Sequence, residues 1–124
     1  MINLVLLYLG AALTVLWGVA HLFPTSPVVK GFGAISIDNQ RIITMEWIVE
    51  GVSLIFFGAL VATVTFVDPM TAVSKAVFML TVIGLFVLAT VSLFTGSKVN
   101  FLPYKLCPFI FAASALLIFI GGVL

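Results

Sequence analysis

Charged residues are scarce in this chain: five Lys or Arg and four Asp or Glu make up only 7% of its 124 residues. A soluble globular domain carries roughly 25% charged residues, because its surface has to face water. The net charge is +1 and the basic residues are scattered, so the chain has no electrostatic footprint for nucleic acid. The shortage of charge therefore excludes a soluble domain and a nucleic-acid partner.

Cysteine and histidine are almost absent as well, with one of each, Cys107 and His21. A single cysteine excludes an intrachain disulfide and any zinc or iron–sulfur motif built from the cysteines of one chain. The sequence also lacks a glycine-rich phosphate loop, a G-x-S-x-G nucleophile elbow and an H-E-x-x-H metal motif. We therefore expect no cofactor, and an enzymatic activity is less favoured than a binding function.

Apolar residues, by contrast, form 64% of the chain, in four long runs without charge. These runs cover residues 1–29, 51–67, 76–97 and 106–124. Each matches or approaches the ~20 apolar residues with which a helix crosses the ~30 Å hydrocarbon core of a bilayer. The first run lacks the basic segment of a signal peptide, so we expect a retained helix. The sequence predicts an all-α membrane protein, an antiparallel bundle of four transmembrane helices in one domain.

Prolines, glycines and capping residues set the predicted helix boundaries. We expect an interfacial loop at 23–39 and helices at about 2–22, 40–66, 69–95 and 103–123. Asp38 or Asn39 is the expected N-cap of the second helix, and Asp68 that of the third. Gly96 is expected to end the third helix in the left-handed conformation. Because only a residue or two separate them, the second and third helices should form a tight antiparallel hairpin.

Basic residues set the predicted orientation. One side of the membrane, with the first and third loops, carries four basic residues, and the other side carries only Lys75. The four are Lys30, Arg41, Lys98 and Lys105. Cytoplasmic loops carry an excess of Lys and Arg. Loops 23–39 and 96–102 are therefore predicted to be cytoplasmic, and both termini to lie outside.

Polar side chains interrupt each predicted helix at steps of three and four residues. Helices in lipid pack through small and hydrogen-bonding residues, so these stripes predict the bundle interior. The stripes are Gly10, Thr14, Trp17 and His21; Glu46, Glu50, Ser53 and Phe57; Thr81, Leu88, Ser92 and Thr95; and Tyr104, Cys107, Phe111 and Ser114. Their polar groups gather toward the predicted cytoplasmic half. We therefore expect a cup that is polar at that side and sealed at the other.

Glu46 and Glu50 are the residues that topology and capping leave unexplained. Four residues apart, they share one face of the second helix, and a charge at a helix centre costs about 2.5–3.5 kcal/mol. Such residues normally face the protein interior. The first helix ends where the second begins, so we expect His21 at the depth of Glu46. The full set of candidates for a ligand or proton site is His21, Glu46, Glu50, Trp17, Tyr104, Lys105 and Cys107.

Three functions are compatible with this cluster. The favoured one is a binding or transport-type bundle that handles a small amphipathic molecule, a lipid or protons. The alternative is an accessory or structural subunit of a membrane complex, in which Lys105, Arg41, Tyr104 and Trp17 hold the glutamates. In the third, an enzyme, the two glutamates would act as acid and base, or together with His21 would ligate iron, manganese or zinc. The expected partners are the lipid bilayer and either a second copy of the chain or another membrane protein.

Two further predictions concern packing. Trp47 is expected to anchor the second helix in the aromatic belt at the membrane interface. Gly51 and Gly58, which are seven residues apart, are expected to be close-contact points between helices.

Two segments carry a resemblance to known proteins: LWGVAHLFP at 16–24 and MEWIVEG at 45–51. Together they resemble small, largely uncharacterised bacterial four-helix membrane proteins, and the length and helix plan are similar to the loose DoxX-like grouping. The resemblance implies a four-helix fold in a bacterial inner membrane. Residues 8–12, YLGAA, are also similar to the opening of small multidrug-resistance transporters. The chain has only Thr14 and apolar neighbours where that family has its coupling carboxylate, so we do not assign it there.

Overall fold

The computed structural model describes all of residues 1–124 and contains helices but no strands. In chain order the helices are α1 (Leu4–Leu22), α2 (Thr25–Gly31), α3 (Ile37–Val67), α4 (Ala72–Phe94) and α5 (Leu102–Gly122), with a short 3-10 turn at Gly96–Lys98. Four of them, α1, α3, α4 and α5, are long and apolar enough to cross a membrane. The chain is therefore an all-α, multi-pass membrane protein, and the predicted bundle of four long helices is confirmed.

The helices pack in an order that differs from their order in the chain. α1 packs against both α3 and α5, and α5 packs in turn against α4. α3 and α4 follow one another in sequence but share few contacts. The predicted tight hairpin of these two helices is therefore wrong as a packing unit, because each packs mainly on a different partner. An open side remains between α3 and α4.

Glycines explain why α3 pairs with α1. A Cβ atom at Gly18 of α1 would lie 2.7 Å from the carbonyl oxygen of Gly51. A Cβ atom at Gly58 would lie 2.6 Å from the carbonyl oxygen of Ala11. Only glycine permits such an approach, so the two backbones come into direct contact. The predicted role of Gly51 and Gly58 as close-contact points is confirmed.

The start of α3 lies at residue 37 rather than at the predicted residue 40. Ser36 caps the helix, because its hydroxyl accepts a hydrogen bond from the N–H of Asn39 at 3.2 Å. Asp38 and Asn39, the predicted caps, therefore lie in the first turn. There the Asp38 carboxylate still faces the positive end of the helix dipole.

The start of α4 lies at residue 72 rather than at the predicted residue 69. The Asp68 carboxylate accepts a hydrogen bond from the N–H of Met70 at 2.9 Å and so stabilises the turn between α3 and α4. The cap is Thr71, whose hydroxyl accepts from the N–H of Ser74 at 3.0 Å. The Ser74 hydroxyl donates to the carbonyl oxygen of Asp68. Asp68 therefore organises the turn and does not cap the helix.

The two connections at the end of the bundle opposite the termini also depart from the predictions. Loop 23–39 contains a helix of its own, α2, which packs against α3. Gly33, which follows α2, is the one residue in the left-handed region, with a φ of 76°. The predicted left-handed Gly96 is therefore wrong: α4 ends at Phe94, and Gly96 opens the 3-10 turn.

The end of the bundle that holds the termini is closed by side-chain packing. Leu7, Phe78 and Ile118 are fully buried there. The N–H of Asn3 donates to the carbonyl oxygen of Gly121 at 2.7 Å and ties the start of α1 to the end of α5. Side chains therefore fill the bundle next to the termini, and the openings around His21 and Glu50 lie in the opposite half.

Candidate functional site

The antiparallel register of α1 and α3 brings His21 opposite Glu50. Gly18 and Leu22 of α1 both lie against Gly51 of α3. His21, which lies between them on α1, therefore faces the residues next to Gly51. Its Nε2 atom lies 3.5 Å from Oε2 of Glu50.

His21, which was expected at the depth of Glu46, pairs with Glu50, one helical turn further along α3. α3 has 31 residues and α1 has 19, which correspond to lengths of about 46 Å and about 28 Å at 1.5 Å per residue. The first turns of α3 extend past the end of α1 and carry Glu46 with them. Glu50 is level with the last turn of α1, so it lies closer to the end of the bundle than the sequence indicates.

Trp47 fixes the position of His21. The two rings stack with their centroids 3.9 Å apart and their planes within 18°. The indole N–H of Trp47 donates to the carbonyl oxygen of His21 at 2.8 Å. Tyr104 of α5 contacts the indole edge-on, with ring centroids 5.9 Å apart. Trp47 is therefore a wall of the site, a role that its prediction as an interface anchor missed.

Two buried nitrogen atoms have hydrogen-bonding capacity that the chain itself does not use. The His21 side chain is only 8% exposed, and its Nε2 has no hydrogen-bond partner in the protein. The 3.5 Å to Glu50 exceeds the about 2.7–2.9 Å of a charge-assisted hydrogen bond. The indole Nε1 of Trp17 is likewise buried without a partner. Because buried polar groups normally have a hydrogen-bond partner, both atoms are free to bond a ligand or a water molecule.

An apolar cavity of about 360 Å³ lies beside the His21–Glu50 pair. It is formed by the end of α1, the start of α5 and one side chain of α3. Its lining is Trp17, Ala20, His21, Pro24, Trp47, Phe101, Leu102, Pro103, Tyr104, Leu106 and Cys107. The volume lies in the lower part of the ~300–1,000 Å³ range of small-molecule sites. The cavity therefore fits a small organic group.

A second cleft, of about 310 Å³, reaches the same pair from the open side between α3 and α4. Both His21 and Glu50 line it, and the end of α4 contributes two hydroxyl-bearing side chains, Ser92 and the C-cap residue Thr95. His21 and Tyr104 also line the apolar cavity. The pair therefore lies where an apolar cavity meets a more polar cleft.

Glu50 has no Lys or Arg partner. Its side chain is 45% exposed, and its one basic neighbour within 4 Å is the imidazole. Lys105 instead donates to the carbonyl oxygen of Ser97 at 3.4 Å. Arg41 pairs with Asp38 at 3.7 Å. The expectation that Lys105 and Arg41 hold the glutamates is therefore wrong.

Glu46 and Cys107 lie at the edges of the site. Glu46 is exposed and lines a third cleft, of about 350 Å³, together with Glu50, with Val28 of α2 and with Phe32, which follows α2. Cys107 is half-buried, and its thiol donates to the carbonyl oxygen of Pro103 at 3.4 Å. Neither side chain contacts the imidazole within the hydrogen-bond or ion-pair distance.

The arrangement does not form a metal centre. No group of three or more His, Cys, Asp or Glu side chains is placed to hold a metal ion. His21 and Glu50 supply two ligands, fewer than the three or four protein ligands of zinc sites. The pair can instead share a proton or accept a charged group of a ligand.

Five of the seven predicted site residues lie together around the cavity and the cleft, and Glu46 and Lys105 line neither of them. Sequence reasoning missed Trp47 as a wall, and it missed the apolar segment 101–103 at the start of α5. No polar group marks that segment, so the sequence carries no signal for it.

No family model, curated protein or solved structure matches the chain. The resemblance to DoxX-like proteins therefore stays a prediction.

Proposed function

We propose that the protein is a binding or transport-type membrane protein, and that its ligand is a small amphipathic molecule or lipid held at the His21–Glu50 pair. One observation carries the proposal. The Nε2 atom of His21 belongs to a side chain that is only 8% exposed, it has no partner in the chain, and it faces Glu50. The apolar cavity and the more polar cleft meet at this point. A molecule with an apolar body and a polar head could therefore place its body in the cavity and its head in the cleft.

The same proposal includes a location and an orientation. We place the chain in a bacterial inner membrane, with loops 23–39 and 96–102 in the cytoplasm and both termini outside. The support is the distribution of basic residues, four at the end of the bundle that holds the site and one at the other end. Because His21 lies in the last turn of α1, the site would open near the cytoplasmic boundary of the bilayer.

A binding function has more support than a structural one. An accessory subunit would use its buried carboxylates to pair helices, and Lys105 was the natural partner within the chain. Lys105 is instead directed at Ser97, and Glu50 is left in a cleft that a ligand can reach. A carboxylate that only locked helices together would be compensated and closed off.

Intrinsic fluorescence provides a direct test, because both tryptophans of the chain line the apolar cavity. The purified protein in lipid nanodiscs would be titrated with decyl maltoside, decyl sulfate and decyltrimethylammonium, each below its micelle concentration. We expect a saturable change in tryptophan emission with at least one of them. Ala20→Phe should abolish the change, because Ala20 lines the cavity and the larger side chain would fill it.

Ala113→Phe is the matched control. Ala113 is exposed on α5, outside the cavity, so the same added bulk should leave the titration unchanged. Emission that does not saturate with any amphiphile, or that responds equally in the two variants, would contradict the proposed function.

A further inference from the structure

We infer that the amphipathic ligand is an organic cation, and that its charged head binds Glu50 in competition with the protonated form of His21, so that binding releases a proton. The inference rests on the proposed function and adds the charge of the ligand and the exchange with the proton. It depends on three features of the site, which are its uncompensated charge, its aromatic walls and the position of the imidazole.

The charge balance of the site favours a positive head. Glu50 is the one carboxylate that faces His21, and no Lys or Arg lies within 4 Å of it. The cleft wall from α4 offers the hydroxyls of Ser92 and Thr95, which are neutral. An anionic head would meet the Glu50 carboxylate with no basic side chain to offset the repulsion. A cation supplies the missing charge.

The aromatic rings in the apolar part of the site also favour a cation. Trp17, Trp47 and Tyr104 all line the cavity beside the pair. Ring faces attract ammonium groups, and Trp does so most strongly. The cavity can therefore hold the hydrocarbon part of a cation and also favour the carbon atoms next to its charged nitrogen.

The imidazole makes the binding of a cation depend on a proton. Nε2 of His21 lies 3.5 Å from the Glu50 carboxylate, so a protonated His21 already compensates that charge. A second cation at the same carboxylate would be repelled by the imidazolium. Histidine is the side chain that normally changes its charge between about pH 5 and 8. The cation should therefore bind to the form in which His21 is neutral.

No other group near the pair offers the same exchange. α5 presents Tyr104 and Cys107, which ordinarily titrate above this pH range. α4 presents only side chains that do not titrate. Glu46 lines a neighbouring cleft that Glu50 also lines, but only Glu50 lies within 4 Å of the imidazole. A proton released on binding would therefore come from His21.

Isothermal titration calorimetry with decyltrimethylammonium tests the charge of the ligand, because this probe carries no titratable proton. In nanodiscs of neutral lipid, the wild-type protein should bind it more tightly than decyl maltoside and decyl sulfate. Glu50→Gln should weaken its binding about tenfold or more, since a charge–charge contact is lost. Glu46→Gln, one helical turn away, is the matched control and should retain the affinity, because Glu46 neither contacts His21 nor lines the cleft between α3 and α4.

The same titrations in two buffers with different heats of protonation measure the proton. Near pH 6.5 we expect a fraction of a proton, up to one, to be released for each cation bound. His21→Gln should retain binding but release no proton, and its affinity should not change with pH. Equal binding of cationic, neutral and anionic probes by the wild-type protein would overturn the inference without any variant. Binding of a cation without proton release would also overturn it.

The outcomes separate the two proposals. If none of the probes binds, the proposed function itself fails. If probes bind saturably but Glu50→Gln and Glu46→Gln behave alike, the binding function stands and the cation inference fails.

Discussion

Replacement of Gly18 by alanine tests the packing that positions His21. An added Cβ would lie 2.7 Å from the carbonyl oxygen of Gly51 and 2.9 Å from the backbone nitrogen of Ile55. Both are backbone atoms, so the clash cannot be relieved by a side-chain rotation, and α1 has to move away from α3. Overpacking of this kind costs about 1–3 kcal/mol.

Gly84→Ala is the control that isolates this cost. Gly84 lies in the middle of α4, and an added Cβ there meets nothing within 4 Å. Both substitutions gain about 0.5–1 kcal/mol from the lower conformational entropy of alanine in a helix. That gain cancels in the comparison. The free energies of unfolding of the two variants should therefore differ by about 1–3 kcal/mol.

The assay is equilibrium unfolding in mixed micelles, followed by tryptophan fluorescence and by circular dichroism. We expect Gly18→Ala to unfold at a lower denaturant fraction than the wild type, and Gly84→Ala at an equal or higher one. If the two variants are equally stable, α1 and α3 are not in backbone contact at Gly18, and the register that pairs His21 with Glu50 loses its basis.

Three further predictions follow from the site and its surroundings. Trp47→Phe keeps a ring on His21 but removes the hydrogen bond to its carbonyl oxygen; the variant should lose about 0.5–1.5 kcal/mol of stability in the same unfolding assay, and no loss would show that the bond is not formed. Lys105→Gln should bind decyltrimethylammonium like the wild type in calorimetry, because Lys105 does not contact Glu50; a large change would reveal a pairing that the structure does not have. A cysteine introduced by Lys75→Cys, with the one native cysteine replaced by alanine, should react with an impermeant maleimide added outside intact cells, whereas labelling only after lysis would reverse the proposed orientation.

Much of the fold could be predicted because a bilayer imposes strong constraints on a sequence. Charge-free runs near the length of a membrane span correspond to α1, α3, α4 and α5. The exact helix ends could not be predicted in the same way. At the starts of α3 and α4, the hydroxyls of Ser36 and Thr71 accept hydrogen bonds from free N–H groups of the first turn. The sequence also has carboxylates near both starts, and these are equally good capping groups, so the sequence alone does not identify the cap.

The pairing of the site residues depends on information that lies outside any one helix. The spacing of His21 and the two glutamates, and their expected depth in the membrane, predicted that the three residues form one cluster. It placed His21 at the depth of Glu46 and could not show which of the two glutamates the imidazole contacts, which the structure shows to be Glu50. That choice depends on where Gly18 meets Gly51, which is a property of two helices in contact.

The role of Trp47 could not be predicted for a similar reason. An aromatic residue near a helix end is typical of the membrane interface. Its indole N–H instead reaches a backbone carbonyl on another helix, at His21. A backbone acceptor has no signature in the sequence, because every residue carries one.

Photo-cross-linking is the most direct test of the central claim, that the cavity beside His21 and Glu50 holds an amphipathic ligand. A decyl ammonium probe with a diazirine in its chain would be irradiated with the protein in nanodiscs, and the labelled residues identified by mass spectrometry. We expect labels at Ala20 and at the start of α5, residues 101–107, and we expect excess decyltrimethylammonium to suppress them. Labels confined to the exposed face of α4, at Phe86 and Val87, or labels that the competitor does not suppress, would contradict it.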